Sequence, residues 1–362
     1  MLTRARWYHV LPVFAALALA LTLGRELGAI GVGVVALLLG GAVLAAVQHA
    51  EIVAHRVGEP FGSLVLAVAV TVIEVSLILT LMLTAPEKSA TLARDTVFAA
   101  VMITLAGIIG AALFFATGGS RIPRFNAEGS GGALATVATL TTLTLVLPSM
   151  TTGAPGPRFT TGQLMFAAVS ALVLYGAFVA TQTVRHRDFF LPVAKDGSVI
   201  ATDDDHADPP SNATAWTSLA FLLLSLIAVV GLAKVESPAI EDAVNAAGLP
   251  HSFVGVVIAL LVLLPETLAA VNAARRGRLQ TSMNLALGSA MASIGLTIPA
   301  LAIATRFVDA PLELGLGPTH ITLFVLAVVV STLTIVPGRA TRLQAVVHLG
   351  IFAAFVFLAM SP

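Results

Sequence analysis

The chain reads as an all-α integral membrane protein of about 11 transmembrane helices, a leading helix followed by two inverted five-helix repeats, and three observations lead there. Of its 362 residues 57% are hydrophobic and 10% charged, which is too apolar for a globular domain in water. The apolar residues fall into runs long enough to cross the hydrocarbon of a bilayer. Near the middle of one such run in each half stands a glutamate, Glu74 and Glu266.

Composition narrows the chemistry. Acidic and basic side chains balance at 19 each, and the basic ones lie between apolar runs, so no nucleic-acid partner is expected. Cysteine is absent, which excludes disulfides, thiolate metal sites and cysteine nucleophiles. No resident cofactor is expected; the partners are membrane lipid and transported ions. Composition is silent on the oligomeric state.

A span needs about 20 apolar residues. Runs of that kind lie near 8–24, 27–48, 61–84, 96–117, 133–149, 163–184, 216–234, 251–273, 281–305, 319–336 and 343–360. The fifth and tenth are short. The first follows Arg4 and Arg6 and ends near small residues, a pattern shared with signal peptides, though its length favours a retained helix.

The longest polar stretch, 185–215, carries Asp203, Asp204, Asp205, His206 and Asp208 beside Pro209 and Pro210, and reads as an acidic cytoplasmic linker. It divides the chain into a leading helix (1–26), a first five-helix repeat (27–184) and a second (216–362). Because five is odd, two such units in tandem lie in opposite orientation across the membrane, the inverted-repeat plan of many secondary transporters. With the N-terminus cytoplasmic and the C-terminus outside, 13 of the 19 basic residues fall on the inner side, led by Arg275, Arg276 and Arg278. A multi-pass protein of the cell (inner) membrane follows. Aligning Glu74 on Glu266 also aligns Phe61 with Phe253, 13 residues upstream in each case.

A carboxylate at mid-bilayer depth costs roughly 3 to over 10 kcal/mol, so such a residue marks an ion or proton path. Around Glu74 the chain offers Thr71 and Ser76, and around Glu266 it offers Thr267 and Asn272, oxygen donors that could support a bound cation. Pro265 cannot donate its N–H, and a helix broken there turns freed carbonyls toward a cavity. The helix after each glutamate is rich in small and polar residues: Thr104, Gly107 and Gly110 in the first half, Asn284, Gly288, Ser289, Ser293 and Gly295 in the second. Small residues let helices approach closely. Ser289 and Ser293 are also candidate ligands, since Ca²⁺ takes six to eight oxygens and two carboxylates give at most four. His49, His55 and Glu59, with Glu51, gather at the cytoplasmic end of spans two and three and could pass protons or cations inward. A polar interfacial rim is the simpler reading of the same residues. His320 and His348 are expected to be hydrogen-bonded structural residues.

These residues resemble a known family. His55-Arg-Val-Gly-Glu-Pro-Phe-Gly62, Ala69-Val-Thr-Val-Ile-Glu74-Val-Ser-Leu, Leu263-Leu-Pro-Glu266-Thr-Leu-Ala-Ala and Met283-Asn-Leu-Ala-Leu-Gly-Ser-Ala-Met-Ala-Ser293 are similar to segments of the bacterial Cha-type calcium/proton antiporters of the calcium/cation antiporter superfamily. The resemblance implies export of Ca²⁺, or of Na⁺ or K⁺, in exchange for protons. It also implies that Glu74 and Glu266 are the central acidic pair, and that spans two and seven slide or bend against a core of spans three, four, eight and nine. The Gly-Asn-Ala segment of related exchangers is replaced here by Val72-Ile73 and Leu264-Pro265.

The chemistry expected of such a pair is exclusive occupancy. Two desolvated carboxylates do not both stay charged in an empty site, whereas a divalent cation stabilises both and expels their protons. The alternatives are a monovalent cation/proton antiporter without Ca²⁺ preference, a cation channel and an intramembrane enzyme. No H-E-x-x-H lies on any span, and Gly129-Ser-Gly131 has no histidine placed to activate it, so no enzymatic activity is expected.

Overall fold

The structure, a computed structural model, describes residues 6–25, 27–58, 61–84, 90–118, 122–191, 193, 210–307 and 312–362. The described chain is helical in eleven successive units. These are α1 (Trp7–Thr22), α2 (Ala29–Val57), α3 (Phe61–Thr84), α4 (Leu92–Met102) continuing through a π-helical stretch into α5 (Ile109–Ala116), α6 (Ala127–Thr141), α7 (Thr161–Ala180), α8 (Asn212–Ala246), α9 (Phe253–Val262) with α10 (Leu264–Arg275), α11 (Leu279–Ala304), α12 (Pro318–Ile335) and α13 (Arg342–Met360). Among the described residues, eight helical stretches are long and apolar enough to cross a membrane, and α9 with α10 forms a ninth bent by 55°. The helix α1 and the stretch Ala67–Leu83 of α3 are shorter apolar helices.

Boundaries differ from the hydropathy reading where polar residues sit inside a helix. The seventh unit, expected at 216–234, runs from Asn212 to Ala246 through Lys234, Glu236 and Pro238. Hydropathy marks where a chain is oily, and intrahelical hydrogen bonds carry the helix further. The expected break at Pro265 is present, whereas the π-helical stretches Ile103–Ile108, Thr142–Val146 and Thr181–Arg185 have no proline inside to announce them.

Packing pairs up when the two halves are exchanged. α2 lies along α8; α3 touches α11 as α9 touches α4; α7 packs on α11 as α13 packs on α5. The pair α2 and α8 is antiparallel: Arg56 near the end of α2 donates to Asn212 at the start of α8 at 2.8 Å, and His49 stacks on Phe221 with ring centroids 5.2 Å apart. Gly58 and Gly248, at φ 76° and 68°, end these two helices in the left-handed conformation that glycine adopts without steric cost.

Small residues set the crossings. A Cβ on Gly295 would stand 2.7 Å from Tyr175 Cβ on α7, and one on Gly110 would stand 3.0 Å from His348 Cβ on α13. The leading helix is seated the same way, with Leu11 against Gly41 of α2 and Leu19 against Gly231 of α8. Lipid offers apolar side chains no less than a protein does, so close backbone approach of this kind is what holds membrane helices together.

His348 is fully buried and hydrogen-bonded at both nitrogens, as expected of a structural residue. Its Nδ1 donates to the carbonyl of Leu105 at 2.8 Å, inside the first π-helical stretch, and its Nε2 lies 3.1 Å from the Thr334 hydroxyl. His320 packs edge-on against Phe98 at 5.0 Å.

Candidate functional site

Glu74 comes from the middle of α3 and is 2% exposed. Its carboxylate accepts from the Ser293 hydroxyl of α11 at 2.7 Å (Oε1) and 2.8 Å (Oε2). Glu266 comes from the first turn of α10, where the unpaired N–H groups of a helix N-terminus favour negative charge. Pro265, beside it, offers no N–H to the preceding turn, and the chain bends there. The carbonyl of Leu263 at the bend is taken by Thr267 twice, through its N–H at 2.9 Å and its hydroxyl at 2.7 Å. Glu266 Oε2 is buried and has no hydrogen-bond partner among the described residues.

Both glutamates line one cavity of about 170 Å³. Ala67 and Val70 of α3, Tyr175 of α7, Gln182 of the π-helical stretch that continues it, and Asn284 and Ser289 of α11 share its wall. Ala67, Val70, Gln182, Asn284 and Ser289 stand toward the end of the bundle where α7 leaves and α8 begins, the linker end, whereas Ala100 of α4 and Ala259 and Val262 of α9, which line the same cavity, stand on the other side of the glutamates. On the opposite side of Glu74, Ile78, Ile298 and Thr297 are buried. The cavity therefore surrounds the carboxylates at mid-bundle, with Ile78 and Ile298 packed beyond Glu74. Chemically it offers two carboxylates, two serine hydroxyls and one unpartnered acceptor oxygen, a hard-oxygen set suited to a small cation or to protons.

The other residues singled out in the sequence divide by place. Ser289 and Ser293 line the cavity. Thr71 is buried one turn before Glu74 and Ser76 is half-buried, and neither faces the cavity; Thr267 caps the bend; Asn272 is exposed in the last turn of α10. His49 is fully buried away from the cavity, where its Nε2 donates to the Tyr8 carbonyl at 2.8 Å amid Tyr8, His9 and Phe221. His55 is exposed, and Glu51 is exposed and accepts from Gln48 at 3.1 Å. Glu59 and the aspartates of the linker lie outside the described residues.

Tyr175 and Phe178 of α7, and Gln182 in the π-helical stretch after it, belong to the wall and were not among the sequence candidates. Nothing in that span is charged before Arg185, and only the crossing of α7 on α11 at Gly295 brings it to the glutamates. Asn284 is tied into the linker end: it donates to the Phe190 carbonyl at 2.6 Å and accepts from Gln280 at 2.8 Å.

Comparison with known proteins agrees in extent with this architecture. The sodium/calcium exchanger protein family matches residues 27–184 and 217–361. A protein of Sinorhizobium fredii, y4hA, whose description as an ionic transporter is provisional, is 44% identical over 98% of this chain and 96% of its own length. The Escherichia coli sodium-potassium/proton antiporter ChaA is 33% identical over 86% of this chain and 83% of its own. Among solved structures, YfkE superposes with a TM-score of 0.71 over 98% of this chain and 99% of its own at 15% identity, and the H⁺/Ca²⁺ exchanger CAX with 0.68 over 97% and 86% at 14%. At those identities the two structures show a shared fold.

Proposed function

The chain belongs to the sodium/calcium exchanger protein family, and on that premise we propose that it is a cation/proton antiporter of the cell membrane whose exchange site is the Glu74–Glu266 pair. The observation that carries this reading is the shared cavity: two carboxylates, one held by the Ser293 hydroxyl and one with a buried oxygen that nothing among the described residues satisfies. A buried acceptor of that kind is costly unless a proton or a cation comes to it. Protons on the pair and a cation between them exclude each other, so each inward-facing or outward-facing turn exchanges one for the other.

The linker end is the cytoplasmic side, because 13 of 19 basic residues fall there when the N-terminus is inside. Residues 27–184 and 216–362 act as the two oppositely oriented units, with α2 and α8 moving against α3, α4, α9, α10 and α11. Thr71, Ser76, Thr267, Asn272, Ser289 and Ser293 remain the candidate supporting ligands or gate, of which Ser289 and Ser293 face the cavity. His49, His55 and Glu59 remain candidates for cytoplasmic access.

Ca²⁺ is the cation that the oxygen-only donor set suits, and solved structures that share the fold are described as Ca²⁺/H⁺ exchangers. A second reading, a Na⁺/K⁺ preference, is favoured by the similarity to ChaA. Proton release from proteoliposomes on separate addition of Ca²⁺, Na⁺, K⁺ and Mg²⁺ decides between them. Glu74→Gln and Glu266→Gln are expected to abolish exchange while leaving the protein inserted and folded. Near wild-type exchange in either variant would refute the site, and flux that neither saturates nor needs a proton gradient would indicate a channel.

A further inference from the structure

At the linker end, the segment before α6 and the segment before α13 meet in a single antiparallel bridge. Phe125 N–H donates to the Gly338 carbonyl at 3.0 Å and Ala340 N–H to the Pro123 carbonyl at 3.1 Å, which sets Arg124 directly opposite Arg339. Residues opposed in this way carry their side chains close together, and like charges so placed repel. Both arginines are exposed, and among the described residues neither has an ion-pair partner; the described ion pairs, Arg94–Asp95 and Arg158–Glu313, lie at the other end of the bundle. Arg342, three residues beyond Arg339, adds a third guanidinium, resting over the Phe114 ring at 4.4 Å.

Directly beside this pair begins an apolar groove of about 390 Å³ between α6 and α12, with Gly131, Leu134 and Ala138 on one wall and Val328, Ile335 and Val336 on the other. Glu128 is the single carboxylate on its lining. The two guanidiniums of Arg124 and Arg339 against one carboxylate leave the mouth positive. The groove runs along two membrane-spanning helices, where the surrounding solvent is acyl chains.

We infer that Arg124 and Arg339 hold the phosphate of an anionic phospholipid whose acyl chain lies in the groove between α6 and α12. Guanidiniums present a planar fork of donors that matches phosphate oxygens, and an anion between the two relieves their repulsion. Basic pockets between membrane helices on the cytoplasmic side recognise such headgroups. The lipid would tie the first half of the chain to the second at the linker end, where these two loops are bridged.

The test compares the full-length protein with Arg124→Gln/Arg339→Gln and with Ala135→Phe, which fills the groove and leaves the arginines. Retained lipid is read by native mass spectrometry, and thermal stabilisation is read on titration with phosphatidylglycerol, phosphatidylcholine or soluble glycerol 3-phosphate. Wild type is expected to keep phosphatidylglycerol in preference to phosphatidylcholine. Retention should weaken about fivefold for each arginine removed, ~1 kcal/mol each, and Ala135→Phe should lose the lipid with its charge intact. Cation/proton exchange by each variant reports that it is folded. Equal retention of phosphatidylcholine, equal stabilisation by glycerol 3-phosphate, or phosphatidylglycerol held by the variants as by wild type would each overturn the assignment.

Discussion

The Ser293 hydroxyl lies between both oxygens of Glu74, at 2.7 and 2.8 Å, and joins residues 219 positions apart in the chain. The bond ties the helix that carries the first glutamate to a helix of the second half. A hydroxyl donating to a carboxylate makes a charge-assisted bond, stronger than one between neutral groups. It holds the Glu74 side chain toward the cavity and leaves its remaining lone pairs for a cation or a proton. Glu266, across the same cavity, has no such partner on Oε2, so the two carboxylates are unequal before any ion arrives.

Ser293→Ala removes that bond and one oxygen ligand together. Hydrogen bonds to charged groups contribute about 1.5–3 kcal/mol, so apparent cation affinity should fall roughly ten- to hundredfold. Ser293→Thr should keep most of it. Cation-dependent proton release in proteoliposomes measures both, and an unchanged half-saturation in the alanine variant would remove Ser293 from the site.

Pro265→Ala restores an N–H to the bend ahead of Glu266. A continuous helix can then form across α9 and α10, and the 55° bend should lessen. Because the bend aims Glu266 at the cavity, exchange should slow at every cation concentration while the folded protein persists. Spin-label distances between the two ends of the helix pair report the bend; exchange at the wild-type rate in a straightened helix would show that the bend is dispensable.

Two glycines of α11 should behave oppositely. A methyl on Gly295 meets Tyr175 Cβ at 2.7 Å, so Gly295→Ala forces α7 and α11 apart, at a cost of about 1–3 kcal/mol. Gly288 has open space where its Cβ would stand, since it faces the cavity. Gly288→Leu should therefore fold and insert normally yet obstruct exchange. Thermal unfolding in detergent, set beside flux, separates the two outcomes.

His348→Phe should destabilise without altering cation affinity. Phenylalanine fits the imidazole's place but leaves the Leu105 carbonyl, freed by the π-helical stretch, without its donor. An unsatisfied buried acceptor costs about 1–3 kcal/mol. A lower unfolding temperature with an unchanged half-saturation for the cation is the expected result. A large loss of affinity would instead place His348 in the exchange machinery.

Much of this architecture is legible from residue order alone, for a physical reason. Spans are local: each is a run of apolar side chains whose backbone bonds close within the helix, so all eleven units can be placed from hydropathy to within a few residues except where polar residues such as Lys234 and Glu236 ride inside a longer helix. The bend at α9 and α10 is likewise local, because Pro265 lacks the donor. The π-helical stretch of the fourth unit is not, since the carbonyl it frees is satisfied by His348 from the far end of the chain. For the same reason Tyr175 and Gln182 escape notice: they are ordinary residues of an apolar helix until Gly295 lets α7 approach α11.

By itself, then, the order of residues determined a membrane protein, its spans and a mid-span carboxylate in each half, because hydrophobic burial and the cost of a charge in lipid depend on local composition. Only the tertiary structure decided that Ser293 is Glu74's partner, that both glutamates open on one cavity, and that α7 supplies part of its wall. Those facts depend on which helices touch, and helix contact is set by close packing of small residues between segments far apart in the chain.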